Sequence, residues 1–173
     1  MTGQKNRFKT TEKLWDLDDK QLKTPKHDAM VLWLMDKDNY SQYLNFKNVI
    51  RVGSDEYSLA KTSVLSEVPI MSSPTFIAGY ADLKITERYV CASMPYKDVL
   101  RNHIIEVKPK IESFGAVLRQ INSYKKFMNN VNHYYYIFTL DSRFDSQFEN
   151  QGIKVLHPPE DVTIEDMVKM YGL

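Results

Sequence analysis

Apolar and polar positions alternate with two different periods along this chain, and the periods divide it into elements. Met30, Val31, Leu34 and Met35 recur near helical spacing, with Leu32 and Trp33 widening the stripe. Thr24 suits an N-cap and Pro25 the first helical position, so a helix is predicted over about 25–38. Val49, Ile50 and Val52 predict a short strand. A second apolar run opens at Val64 and closes near Pro69 and Ile70. Residues 75–86 read as a strand with Gly79 inside it, a sign of a bulge or a close approach. Residues 88–94 predict a short strand or hairpin arm, and His103–Lys108 a strand ended by Pro109.

Phe114, Val117, Leu118 and Ile121 then mark a helix from about 112 to 129. Residues 133–140 are almost wholly apolar and predict a strand inside a sheet. A short amphipathic helix over 142–152 is closed by Gly152, and a further strand follows from Ile153. The chain finishes on a helix for which Thr163 and Asp166 have capping-box spacing. The second half alternates strand and helix, so part of the sheet is expected to be parallel and the fold class α/β.

At 173 residues the chain suits one domain with a real core, over 24–173, preceded by an extended arm at 1–23. Charged residues are 26% and the formal net charge is +1, which excludes a uniformly basic coat but not a basic face. The single cysteine, Cys91, excludes an intrachain disulfide and any cluster of cysteine ligands. No run reaches the ~18 apolar residues of a membrane helix, and the start of the chain has no apolar signal core. The expectation is a soluble protein of the cytoplasm, or of the host-cell cytoplasm if viral, with no membrane partner.

The chemistry concentrates in the strand before Pro109. Residues two apart on a strand share a face, so Glu106 and Lys108 point together while Val107 points into the core. Asp82 ends a similar apolar run upstream. If the two strands pair, Asp82 and Glu106 bracket a narrow site, where two carboxylates repel unless a hard cation such as Mg²⁺ lies between them. Mn²⁺ suits the same oxygen donors, and the Val107 carbonyl is a further oxygen of the right kind. With Lys108 to hold charge on a phosphoryl group, the set fits phosphodiester hydrolysis.

Asp82 together with Glu106-Val107-Lys108 resembles the PD-(D/E)xK nuclease superfamily. The resemblance covers residues 25 to about 157 and implies a restriction-endonuclease-like mixed sheet flanked by helices. "RQINSY", 119–124, is similar to the Q-x-x-x-Y element of the branch with RecB-type and lambda-type exonucleases, and the run from "SEVPI" to "RQINSY" resembles TnsA-like transposon end-cleaving nucleases. The resemblance implies roles beside the site for Gln120 and Tyr124 and a phosphate contact for Arg119. His27 or Asp28 on the first helix would be substrate-binding, and Glu67 a further metal ligand. Ala81 stands where many members carry proline, and Cys91 alone cannot form the cysteine cluster of the CRISPR-adaptation exonucleases.

The implied activity is that of a Mg²⁺-dependent DNA endonuclease, acting as a homodimer or with a partner protein that supplies specificity. Two rival readings stand beside it. One is a DNA-binding or partner-binding protein on the same fold with conditional or lost cleavage. The other is an exonuclease or RNA-processing nuclease.

Overall fold

The computed structural model describes residues 24–128 and 132–173; the arm expected at 1–23 lies outside them. Helix α1 (Pro25–Met35) is capped by Thr24, whose hydroxyl accepts from the His27 amide, and carries Pro25 in its first turn. The apolar stripe runs out at Asp36. Its carboxylate accepts from the Asp38 amide and opens a separate helix, α2 (Lys37–Tyr43), where the sequence predicted one continuous helix to residue 38.

Strands β1 (Val49–Val52), β2 (Asp55–Ser73), β3 (Phe76–Cys91) and β4 (Met94–Lys108) form an antiparallel meander. Helix α3 (Phe114–Phe127) then carries the chain back, so that β5 (His133–Thr139) lies parallel to β4 and β6 (Lys154–Leu156) parallel to β5. The result is a six-stranded mixed sheet in the order β1-β2-β3-β4-β5-β6, an α/β fold. A 3₁₀ turn (Ser142–Phe144) and α4 (Asp145–Glu149) join β5 to β6, and α5 (Ile164–Tyr171) ends the fold. At α5 the Thr163–Asp166 capping box forms in both directions, as its spacing predicted.

Each face of the sheet carries its own core. Ala29, Met30, Trp33 and Leu34 of α1 pack with Ile105, Val107, Phe138 and Met167, and the Trp33 ring stacks on Phe138 at 5.7 Å. On the other face Val117, Ile121 and Tyr124 of α3 pack with Ile104, Ile137, Phe148 and Ile153. The sequence placed β5 inside the sheet, and it lies between β4 and β6 with Phe138 fully buried. Tyr134, at its start, is exposed and stacks on His103.

The strands β2, β3 and β4 are longer than hydrophobic alternation suggested. Most of Asp55–Ser63 is exposed or half-buried, and only Tyr57 is buried. Pairing with β1 and β3, not burial, makes this stretch a strand. One buried polar group helps fix the meander. Glu87 accepts from the Tyr89 hydroxyl and pairs with His103, whose other ring nitrogen lies 2.9 Å from the Tyr136 hydroxyl. Burying a carboxylate is tolerable only with such full partnering.

Candidate active site

Two discontinuities in the sheet build the site. The first is at Glu67, which has φ 49° although it is not glycine. Ser66 pairs with Leu83 and Val68 with Ala81, so Glu67 stands across from Asp82 with no change of register. Yet Leu83 packs into the core beneath α1 and Ala81 into the core beneath α3. Residues two apart on a regular strand share a face, so β2 and β3 twist over at Glu67 and Asp82. The second discontinuity lies one strand along, where Leu83–Ile105 is the last residue pair of β3 with β4. Just past it, the Val107 amide donates to Asp82 Oδ2 at 2.7 Å.

Alternation along β4 sends Ile105 and Val107 beneath α1 and Ile104 beneath α3, and Glu106 follows Ile104. Its side chain is 1% exposed. Glu106 Oε1 receives Lys108 Nζ at 2.9 Å and Gln120 Nε2 at 2.8 Å. Glu106 Oε2 lies 2.8 Å from the Tyr124 hydroxyl, and Gln120 Nε2 also donates to that hydroxyl at 2.6 Å. Gln120 and Tyr124 are four apart on α3, one turn on the same face, so the helical period delivers both to one carboxylate.

The Tyr124 hydroxyl also lies 2.8 Å from the Tyr80 carbonyl. It has one proton for two acceptors, and a carbonyl cannot return one. Tyr124 therefore shares its proton between Glu106 Oε2 and the Tyr80 carbonyl. Burial, then the nearby Asp82 charge, pushes the Glu106 carboxyl up to about 7 against the opposing pull of Lys108. Burial and the same carboxylates raise the Tyr124 hydroxyl well above its ordinary value, so Tyr124 stays a donor.

Asp82 meets α1 through its other oxygen. His27 Nε2 lies 3.3 Å from Asp82 Oδ1, and His27 Nδ1 lies 3.1 Å from Asp28 Oδ1. Burial disfavours a charged ring, but Asp82 and Asp28 outweigh it and raise the His27 pKa. His27 Nε2 is buried and, though close to Asp82, is not aligned to hydrogen-bond with it. With Nδ1 held by Asp28, Nε2 is the ring nitrogen that a neutral His27 would present to a cation. The Asp82 carboxylate and a neutral His27 ring are of a kind suited to a divalent cation, and Glu106 would join them only in its ionised form.

Among the described residues no three His, Cys, Asp or Glu side chains are grouped so that they could hold a metal ion.

The other residues singled out in the sequence divide clearly. Val107 is buried, and its amide is committed to Asp82. Glu67 is exposed on β2, opposite Asp82 on β3. Arg119 is exposed on α3 and lies over Gly115. Asp28 stands behind His27, half-exposed, and reaches Asp82 only through that ring. Sequence reasoning missed Tyr80, whose carbonyl is held by Tyr124; its position two residues before Asp82 was the available signal.

No match to this chain was found among protein-family models, curated proteins or solved structures.

Proposed function

We propose that this protein is a Mg²⁺-dependent DNA endonuclease on a restriction-endonuclease-like sheet, with Asp82, Glu106 and Lys108 as its PD-(D/E)xK residues. One observation carries the reading. A carboxylate that is 1% exposed gathers Lys108, Gln120 and Tyr124 around it, and Asp82 closes on the next backbone amide. A structural ion pair has no need of this concentration of polar groups at the point where two strands part. Burial of unlike polar groups around a perturbed carboxylate is typical of catalytic sites.

Asp82, Glu106, His27 Nε2 and the Val107 carbonyl are the donors that would hold Mg²⁺ or Mn²⁺, with Glu67 as an additional acid from β2. A divalent cation in that position supplies Lewis-acid polarisation of the phosphodiester and lowers the pKa of water. Lys108 stabilises charge on the phosphoryl oxygens and orients the attacking water. Gln120 and Tyr124 hold Glu106 in place, Asp28 fixes the His27 tautomer, and Arg119 is exposed where it can neutralise a backbone phosphate.

The test is cleavage of linear, circular, branched and single-stranded DNA with Mg²⁺, Mn²⁺ or EDTA. Asp82→Ala, Glu106→Ala and Lys108→Ala are run alongside. Cation-dependent cutting by the parent, with a loss of at least about a hundredfold in each variant, is expected; cutting of circular DNA marks endonuclease action. A parent protein that cuts nothing, or variants that cut normally, would sink the reading.

A further inference from the structure

The β2–β3 hairpin runs on past the site. β3 pairs with β4 only as far as Leu83, whereas its pairing with β2 continues to Phe76. Residues 69–80 therefore form a two-stranded arm beside the carboxylates. Met71, Phe76, Ile77 and Tyr80 on this arm are exposed, Tyr80 most of all at 55%. From Val68 to Ala81 the sequence contains no charged residue. Such a surface offers phosphate nothing, since backbone contacts are made by cations and polar donors. What it matches is the face of a base, and aromatic rings bind unpaired bases of any sequence in this way.

Tyr80 is the residue positioned to do so. Ala81 packs beneath α3, so the Tyr80 side chain leaves the strand on the opposite side. That is the side from which His27 meets Asp82. Two residues of strand separate Tyr80 from Asp82, roughly 7 Å, a distance that one nucleotide spans. The Tyr80 carbonyl is anchored by the Tyr124 hydroxyl, which also touches Glu106, so the backbone that carries the ring is tied to the site.

We propose that Tyr80 stacks on the base adjoining the phosphate held at Asp82 and Glu106. The preferred substrate is then DNA with an unpaired nucleotide at the cut: a flap, a fork or a frayed end. The inference rests on the nuclease reading for the phosphate's position. A ring reaches the face of a base only when that base has left the duplex stack, which is why an unpaired nucleotide is required.

The experiment uses the full chain in Ca²⁺, to hold DNA without turnover, and flap DNA with 2-aminopurine at each junction nucleotide in turn. Quenching at one position is expected, lost in Tyr80→Ala and kept in Tyr80→Phe. In Mg²⁺, Tyr80→Ala should lower the ratio of flap to blunt-duplex cutting by about tenfold. DNA bound without quenching at any position, or an unchanged cutting ratio in Tyr80→Ala, overturns the proposal. So does an oligomer of the parent that dissociates in Tyr80→Ala with quenching intact, which would make the arm a contact between copies. Tyr80-dependent quenching without cleavage leaves stacking standing and removes the nuclease reading. Cleavage without such quenching does the reverse.

Discussion

Glu106 and Glu87 are both buried glutamates near a basic side chain, and their protons respond in opposite directions. Burial raises Glu106 to about 7 from an ordinary 4.5, because Lys108 offsets only part of the cost and Asp82 adds to it. Burial also acts on Glu87, but the bonds from His103 and Tyr89 outweigh it and lower its pKa. A group raised on folding contributes stability that is complete below its unfolded pKa and lost as pH rises through its folded one. Glu106 therefore stabilises the fold below about pH 4.5 and loses that contribution by about pH 7. Glu87 contributes above its ordinary value of 4.5 and loses the contribution as pH falls below it.

In EDTA, Glu106→Gln should flatten the fall in melting temperature between these two pH values, and Glu87→Gln should flatten the fall on the acid side. Melting curves across pH check both, and an unchanged slope for either variant refutes its assignment. The residues that carry the site were largely legible from local periods. A period of two put Glu106 with Lys108, and a spacing of four put Gln120 with Tyr124. The approach of His27 to Asp82 was not legible, because the aim of an imidazole depends on how α1 docks on the sheet. No local period reports that docking.

At the scale of elements, the least readable feature was the length of the hairpins. The polar stretch Asp55–Ser63 has no alternating signal, since its strand is held by neighbours on both edges and buries little. The break at Asp36 was hidden for a different reason. A carboxylate that caps one helix can equally ride in the last turn of another until the chain direction is known.

The twist at Glu67 is the element-scale feature with an energetic signature. A non-glycine residue at φ 49° bears strain of about 1–3 kcal/mol. Such strain persists where the side chain or the turn of the strand is needed. Glu67→Gly is expected to raise stability by about 1 kcal/mol, the relief of strain exceeding the entropy of an added glycine. The same change should weaken Mg²⁺ binding, because the acid across from Asp82 is removed. Urea denaturation and a calorimetric Mg²⁺ titration separate the two effects. No gain in stability sinks the strain account, and parent-like Mg²⁺ binding removes Glu67 from the cation site.

Over the whole molecule, rigidity is unequally distributed, and the site lies on the boundary. On one side, β3 from Leu83 onward and the strands β4 and β5 lie inside the sheet, with the core beneath α1 on one face and that beneath α3 on the other. On the other, the arm of residues 69–80 has one partner strand and an exposed apolar surface. Two-stranded ribbons are marginal without further packing, and local opening follows the number of buried contacts. Amides of the arm should exchange at least about a hundredfold faster than those of Ile104–Val107, where opening requires loss of the core. Asp82 joins the two regions by accepting from Val107 and contacting His27. A cation bound there, together with a stacked nucleotide at Tyr80, would cross-link the arm to the rigid sheet. Hydrogen exchange of the full chain with Mg²⁺ alone, and with Ca²⁺ and flap DNA, is the direct measurement. Protection should appear first around Asp82 with the cation and spread along residues 76–80 only with DNA. An arm as protected as Ile104–Val107 in the free protein would contradict this division. An arm unaffected by DNA that binds at the carboxylates would contradict stacking at Tyr80.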